Sequence, residues 1–372
     1  MRTARRAGGA LVFFAVLALF PQVFQNATVT TIAVDTLIFA GAAVAWNIFS
    51  GYSGYLSLGH AVFFGAGAYT VGIAARAWHT NGDGVFVLLL LAAAVAGGLS
   101  VPLGLIALRV RRHTFVVITI AFFFIAQLVA TNLSVTGGSS GILAPSPNWT
   151  AATFNDPFYY IALALLAATT AASWLIRGSR FGLQLRAIRD DEDRAAGLGV
   201  RAMPVKLTAF VISAVVTGVA GGLWFYFIGQ AIPQFAFDPL FDLSVVVMAF
   251  FGGLGTISGP ILGALVIEPA QQWLTLQYSN EYLSEILLGA LFLVVILLLP
   301  RGVIPTAAEQ ITKYRARRAA VAAGPAPAGP APPGPAQAGR AAAGPAQAPA
   351  GTVPQAPPAG EQAGTAAREA GP

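Results

Sequence analysis

The sequence predicts an all-α, polytopic helical membrane protein of about ten transmembrane segments, with two glycine-rich broken or re-entrant regions. Three observations carry this expectation. The chain is 56% hydrophobic and 10% charged, whereas a soluble globular domain is about 25% charged. Its apolar runs far exceed the roughly 10-residue alternating strands of a membrane barrel, which leaves helices as the only spanning structure. Its Lys and Arg residues gather at the ends of those runs, where they set topology, rather than on one face.

Met1 to Arg6 is a basic start, followed by an apolar run from Ala10 to Phe24. A secretory leader has the same head and core, but no small-x-small cleavage site follows, so the run is read as a retained first span. Asp35 opens a second stretch that runs to Phe49. Gly51 to His60 then interrupts the apolar signal, and Phe63 to Ala75 resumes it. A polar loop, Arg76 to Gly84, leads into Val85 to Leu108, which contains Pro102 and is closed by Arg109, Arg111, Arg112 and His113. Phe115 to Thr131 follows. The next loop, Asn132 to Pro157, has no Lys or Arg, which places it outside the cytoplasm.

Phe158 to Ile176 brings the chain back to a polar island, Arg177 to Lys206. Leu207 to Ile228 leaves again, and Gly229 to Pro239 also lacks Lys and Arg. Phe241 to Phe251 and Ile261 to Leu276 flank a second interruption, Gly252 to Pro260, and Leu283 to Leu299 is the last span before Pro300-Arg301-Gly302. With each run counted as a crossing, both termini are cytoplasmic and every basic loop lies on their side. Residues 1–318 then form the transmembrane domain, with a cytoplasmic loop at 177–206. Residues 319–372, rich in Ala, Pro and Gly, read as a disordered cytoplasmic tail. Lys313, Arg315, Arg317 and Arg318 precede that tail, suited to anionic headgroups.

No catalytic set is present. Zero cysteines exclude disulfides and thiolate metal sites. His60, His79 and His113 are too scattered for a metal cluster. Lys206 and Lys313 follow Val205 and Thr312 rather than glycine, so there is no phosphate-binding P-loop. No metal or cofactor is implied, and the basic residues, placed at run ends, give no nucleic-acid face.

The polar island cannot lie in hydrocarbon, where one charge costs at least about 2.5 kcal/mol. Phe181, Leu183, Leu185 and Ile188 interleave its charges as in an amphipathic helix, which Gly197 and Gly199 end. The glycine interruptions have two readings. Gly51, Gly54, Ser57 and Gly59, with Gly252, Gly253, Gly255, Gly259 and Pro260, can line a polar path with broken helices whose ends present dipoles to a solute. They can equally serve close helix crossing or surface turns. His60 either meets solute or is hydrogen-bonded within the bundle. Glu268 needs a partner or water in its apolar run, unless Pro269 loosens the helix end and makes it interfacial. Asp35, Asp238 and Asp242 sit at span edges, in reach of water.

Arg186 to Gly199 (RAIRDDEDRAAGLG) resembles the E-x-x-A-A-x-x-G coupling loop of ATP-binding-cassette importer permeases. Leu56 to Thr70, Lys206 to Ser213 with Gly218 to Leu223, Gly252 to Pro260 and Leu299 to Gly302 recur in the order of the branched-chain amino acid permease family, LivM type, over about Asp35 to Gly302. Asp193, Arg194, Ala196 and Gly197 depart from the family's usual loop residues. The resemblance implies a bacterial plasma-membrane importer subunit without its own ATPase site. Its partners would be a LivH-type permease subunit, two cytoplasmic ATP-binding subunits, an extracytoplasmic solute-binding protein and membrane lipids. Branched-chain or related amino acids would be the substrate; urea, short amides or sugars, or a standalone secondary transporter, are the alternatives. Arg186, Arg189, Glu192, Ala195, Ala196 and Gly199 would couple to the ATPase. Gly51, Gly54, Ser57, Gly59, His60, Gly252, Gly253, Gly255, Gly259 and Pro260 would belong to the translocation path.

Overall fold

In the computed structural model the described residues are 2–277, apart from 25, 147, 148, 151 and 152, with scattered residues between 286 and 314. All of them belong to one compact unit, Met1–Tyr314. The expected span Leu283 to Leu299 falls largely outside the described residues, as do the basic residues from Lys313 to Arg318 and the tail.

The described chain is a bundle of helices. They are α1 (Arg2–Val23), α2 (Ala27–Trp46), α3 (Ala61–Ala77), α4 (Leu88–Ala107), α5 (Arg112–Asn132), α6 (Asn155–Gly178), α7 (Arg180–Asp190), α8 (Glu192–Gly197), α9 (Ala202–Ile228), α10 (Pro233–Ala236), α11 (Pro239–Gly252) and α12 (Gly259–Gln277). Six helical stretches are long and apolar enough to cross a membrane: 27–51, 82–107, 112–132, 155–178, 202–228 and 233–252. Gly8–Val23 and Ala61–Ala77 are shorter apolar helices. This is a multi-pass membrane protein.

α2 is the axis of the bundle. It is apolar all round, as a helix enclosed by others must be, and 83% of its spanning window is buried, against 22% for α5, which presents its apolar side outward. α3 and α4 pack against α9, and α6, α11 and α12 against α2. The two loops that lack Lys and Arg meet at one end, where Ile142–Leu143 (β1) pairs antiparallel with Gln230–Ala231 (β2). α7 and α8 lie at the other end of α9, beside Lys206.

Expectations about three acidic residues are overturned. Asp35 is not at a span edge, because α2 starts at Ala27, capped by Asn26, whose side chain accepts from the Thr28 N–H. Asp35 is therefore mid-helix and 5% exposed. Asp242, 2% exposed, accepts from the backbone N–H groups of His60 and Ala61 at 3.0 and 3.2 Å. It supplies the negative charge that a helix N-terminus favours, so the dipole of α3 is already answered by a side chain rather than left open to a solute. Glu268 is likewise not interfacial: α12 continues through Pro269 to Gln277, and Glu268 is 2% exposed.

Candidate functional site

The two glycine-rich segments, about 200 residues apart in sequence, meet each other. α2 ends in a π turn, Asn47–Gly51, a form that recurs at functional positions because it widens the helix locally. Asn47 Nδ2 donates to the Thr256 carbonyl at 2.8 Å, and the Gly255 N–H donates to Asn47 Oδ1 at 2.8 Å. One side chain thus satisfies a donor and an acceptor of the opposite segment. Each such bond contributes about 1 kcal/mol net, and register follows from having both.

The polar island packs onto this junction. Ser179 caps α7, its hydroxyl accepting from the Gly182 N–H, and Asp191 caps α8, accepting from the Arg194 N–H. Leu185 and Ile188 are buried, so the amphipathic helix expected here is present, apolar face inward. Arg189 Nη1 donates to the Gly51 carbonyl at 2.7 Å, and Arg177 Nη1 donates to the Gly255 carbonyl at 3.0 Å. Gly54 and Gly255 have φ of +74° and +75°, in the left-handed region where a side chain is strained. A Cβ at either would also run into Arg189. Arg186 takes no part in this contact; its donors go to the Gly182 and Arg177 carbonyls.

A second tether is polar and half-enclosed. Glu192 accepts from the Tyr55 hydroxyl at 2.5 Å and from Lys206 Nζ at 2.6 Å. Lys206 also donates to the Tyr55 hydroxyl at 3.1 Å and lies 4.3 Å from the centre of its ring. Burial pushes the Glu192 carboxyl up, but hydrogen bonds from Lys206 and Tyr55, with the charges of Lys206 and Arg112, outweigh it and hold the pKa below 4.5. Arg112, at the start of α5, donates through Nη2 to the carbonyls of Ile188 and Arg189, both at 2.7 Å. It answers the free carbonyls that end α7, where a cation is favoured.

The remaining expected residues fall in three places. Ala195 is buried under α8, while Ala196, Gly197 and Gly199 are exposed, next to Leu198, which is 85% exposed. Gly252, Gly253, Gly259 and Pro260 are buried at the second segment, with Gly302 packed on Gly253. His60 is enclosed, bonded through Nδ1 to Ser57 Oγ at 3.0 Å and through Nε2 to Ser213 Oγ at 2.7 Å. Both ring nitrogens are thus engaged within the bundle. Gly59 lies in the same turn, where an added Cβ would meet the Thr119 backbone.

Asn47, Tyr55, Arg112, Arg177 and Lys206 were not singled out by the sequence as site residues, although each makes the contacts just described. Lys206 carried the strongest signal, a lone lysine at the head of an apolar run. Asn47 carried little, since one amide late in a run reads as the end of a span.

Among known proteins, residues 28–296 match the family described as branched-chain amino acid transport system, permease component. The chain is 30% identical, over 331 residues covering 81% of it and 76% of the relative, to the high-affinity branched-chain amino acid transport system permease protein LivM of Escherichia coli K12. It is 29% identical to LivM of Salmonella typhimurium, over 75% of this chain and 71% of that one. LivH of the same organism is 33% identical over 142 residues, 38% of this chain and 44% of the relative. No solved structure matches significantly. With the match running from the first turn of α2 past the end of α12, and so covering Asn47, Arg177, Arg189, Glu192 and Lys206, the chain belongs to the branched-chain amino acid transport permease family.

Proposed function

We propose that this chain is a permease subunit of an ATP-driven importer for branched-chain or related amino acids, coupled through α7 and α8 to a cytoplasmic ATPase. The single observation that carries the coupling reading is that two arginines of one polar excursion, Arg177 and Arg189, each hold a carbonyl of a different glycine-rich segment. Displacement of α7 and α8 by closing ATPases would therefore pull on both segments at once. Arg186, Arg189, Glu192, Ala195, Ala196 and Gly199 belong to this element. The exposed tip, Ala196 to Gly199 with Leu198 outermost, is the part that enters the ATPase. Gly51, Gly54, Ser57, Gly59 and His60, with Gly252, Gly253, Gly255, Gly259 and Pro260, form the inner end of the translocation path, hinged on the Asn47 contacts.

In this reading residues 1–318 are a domain of about ten spans in the bacterial plasma membrane, with both termini cytoplasmic, and residues 319–372 are a cytoplasmic tail. A LivH-type permease completes the path, two ATP-binding subunits supply hydrolysis, and a solute-binding protein delivers substrate to the end where β1 and β2 pair. The test is uptake of radiolabelled leucine, valine, urea and acetamide into proteoliposomes holding the assembled importer. Leucine or valine uptake that needs both ATP and the ATP-binding subunits supports the reading. Equal uptake with those subunits left out removes the coupling role.

One observation favours a second reading, a standalone ion-coupled transporter. Asp35 on α2 and Glu268 on α12 are both buried, on helices that pack together, and a pair of buried acids is what such a protein would use. That reading predicts uptake abolished by collapsing the proton or sodium gradient and indifferent to ATP.

A further inference from the structure

Two buried carboxylates take no part in the junction between α7, α8 and the glycine segments. Asp35 and Glu268 are 5% and 2% exposed. Asp35 Oδ1 and Glu268 Oε2 are buried without a hydrogen-bond partner, and no ion pair among the described residues involves either residue. A buried carboxylate oxygen with no donor is costly, so its presence in a folded bundle points to a donor that arrives from elsewhere.

The two residues share a level. From the Asn47–Thr256 contact, α2 runs back and α12 runs onward in the opposite sense. Asp35 lies twelve residues back from Asn47, and Glu268 twelve residues on from Thr256, the last nine of them along α12. Glu268, enclosed though it is, borders open space. It lines a cavity of about 570 Å³ together with Ser244, Gln272 and the aromatic walls Phe39, Phe64, Trp224 and Phe241. Its lining also takes in Gln230, Ile232 and Asp238, from the segment between α9 and α11 where β2 pairs with β1. α9 has 27 residues, about 40 Å of helix. The cavity takes Ile228 at one end of it, while Lys206 holds Glu192 near the other. The cavity and the α7–α8 pair therefore lie at opposite ends of the bundle.

We infer that this cavity is a substrate subsite in which Glu268 receives the ammonium group of an aliphatic amino acid. Gln272 Nε2 donates to Oε1 at 3.1 Å, which leaves Oε2, enclosed and without a donor, as the acceptor that a turn of the side chain would bring to the cavity. A primary ammonium carries three donors, enough for Oε2 and the Ser244 hydroxyl, and is also attracted to aromatic faces. Asp35 is not among the residues that line this cavity. The aliphatic side chain would pack on the aromatic walls, and the volume suits one small molecule. This inference rests on the importer reading and places the solute, once released from its binding protein, at a named residue of this subunit.

The chain has no cysteine, so a single Ser244→Cys substitution puts one thiol in the cavity of the assembled importer in nanodiscs. Its rate of reaction with a small water-soluble thiol reagent is measured against added leucine, 3-methylbutylamine or 4-methylpentanoate. Leucine and 3-methylbutylamine, which carry the ammonium, are expected to slow labelling. 4-Methylpentanoate, which lacks it, should require at least tenfold higher concentration. Adding Glu268→Gln should raise the leucine concentration needed for protection at least tenfold, and Glu268→Asp should recover part of that loss. A thiol that never reacts, protection that ignores the ammonium, or protection unchanged by Glu268→Gln would each overturn the inference. Loss of leucine protection in every Glu268 variant, the Asp variant included, would mean disruption of the fold and count against it too. Leucine uptake by the assembly bearing serine at 244 is scored separately: its absence would sink the transport reading, and its presence without protection would sink only this subsite.

Discussion

Arg189 reaches across 138 residues of sequence to donate to the Gly51 carbonyl at 2.7 Å. The acceptor lies where α2, the most enclosed helix of the bundle, opens into a π turn, so its carbonyl is free of the regular ladder. In the proposed coupling, a movement of α7 would reach the end of α2 through this charge-assisted bond, the stronger kind of hydrogen bond.

Arg189→Ala is expected to separate hydrolysis from transport. The variant should assemble with its partners and hydrolyse ATP, while the substrate moved per ATP falls at least about tenfold, which corresponds to about 1.4 kcal/mol of lost coupling. Arg177→Ala should do the same more weakly, because its bond to Gly255 is longer, at 3.0 Å. Simultaneous measurement of ATPase rate and leucine uptake in proteoliposomes checks both. An unchanged ratio in Arg189→Ala would show that α7 does not act through the first glycine segment.

Lys206 is buried and its carboxylate partner, Glu192, is only partly exposed. Glu192→Gln should therefore destabilise the bundle by about 2 kcal/mol, since it strands an enclosed ammonium rather than a solvated one. Replacing both partners, Glu192→Gln with Lys206→Met, should recover most of the loss. Thermal unfolding in detergent micelles measures the two variants against the unsubstituted protein. If the single and double substitutions lose the same stability, the pair is not coupled.

Acidification should loosen the same contact. Because the Glu192 pKa in the folded protein lies below its ordinary value of 4.5, its stabilising contribution is fully present above about pH 4.5 and is lost as the pH falls through the depressed folded value. Hydrogen exchange of residues 192–197, followed downward from pH 6, should remain protected to below pH 4.5 and then rise. Glu192→Gln should be unprotected across that range. An onset of exchange near pH 6 in the unsubstituted protein would assign the protection to another group.

Much of the framework was legible because burial in lipid writes itself into composition. The apolar runs from Ala10 to Leu276 each coincide with a helix, and Arg177 to Lys206 forms the amphipathic excursion that its charges required. What was not legible depends on register between distant segments. Asn47 and Thr256 look unremarkable until α2 and α12 are brought together, and the same packing buries Asp35 and Glu268, which no local spacing reveals. Asp242 was read as solvated for a similar reason. A carboxylate near the start of one helix gives no sign that it will cap another, 182 residues earlier.

The central claim, that α7 and α8 are driven from the cytoplasm by an ATPase, is tested most directly at their exposed tip. In a chain with no native cysteine, Ala196→Cys is expected to form a disulfide or short thiol cross-link with a cysteine scanned along the ATPase groove, with a yield that changes on ATP binding. The same variant in intact cells should be inert to a membrane-impermeant maleimide. Rapid maleimide labelling from outside, without cross-linking to the ATPase, would contradict the account.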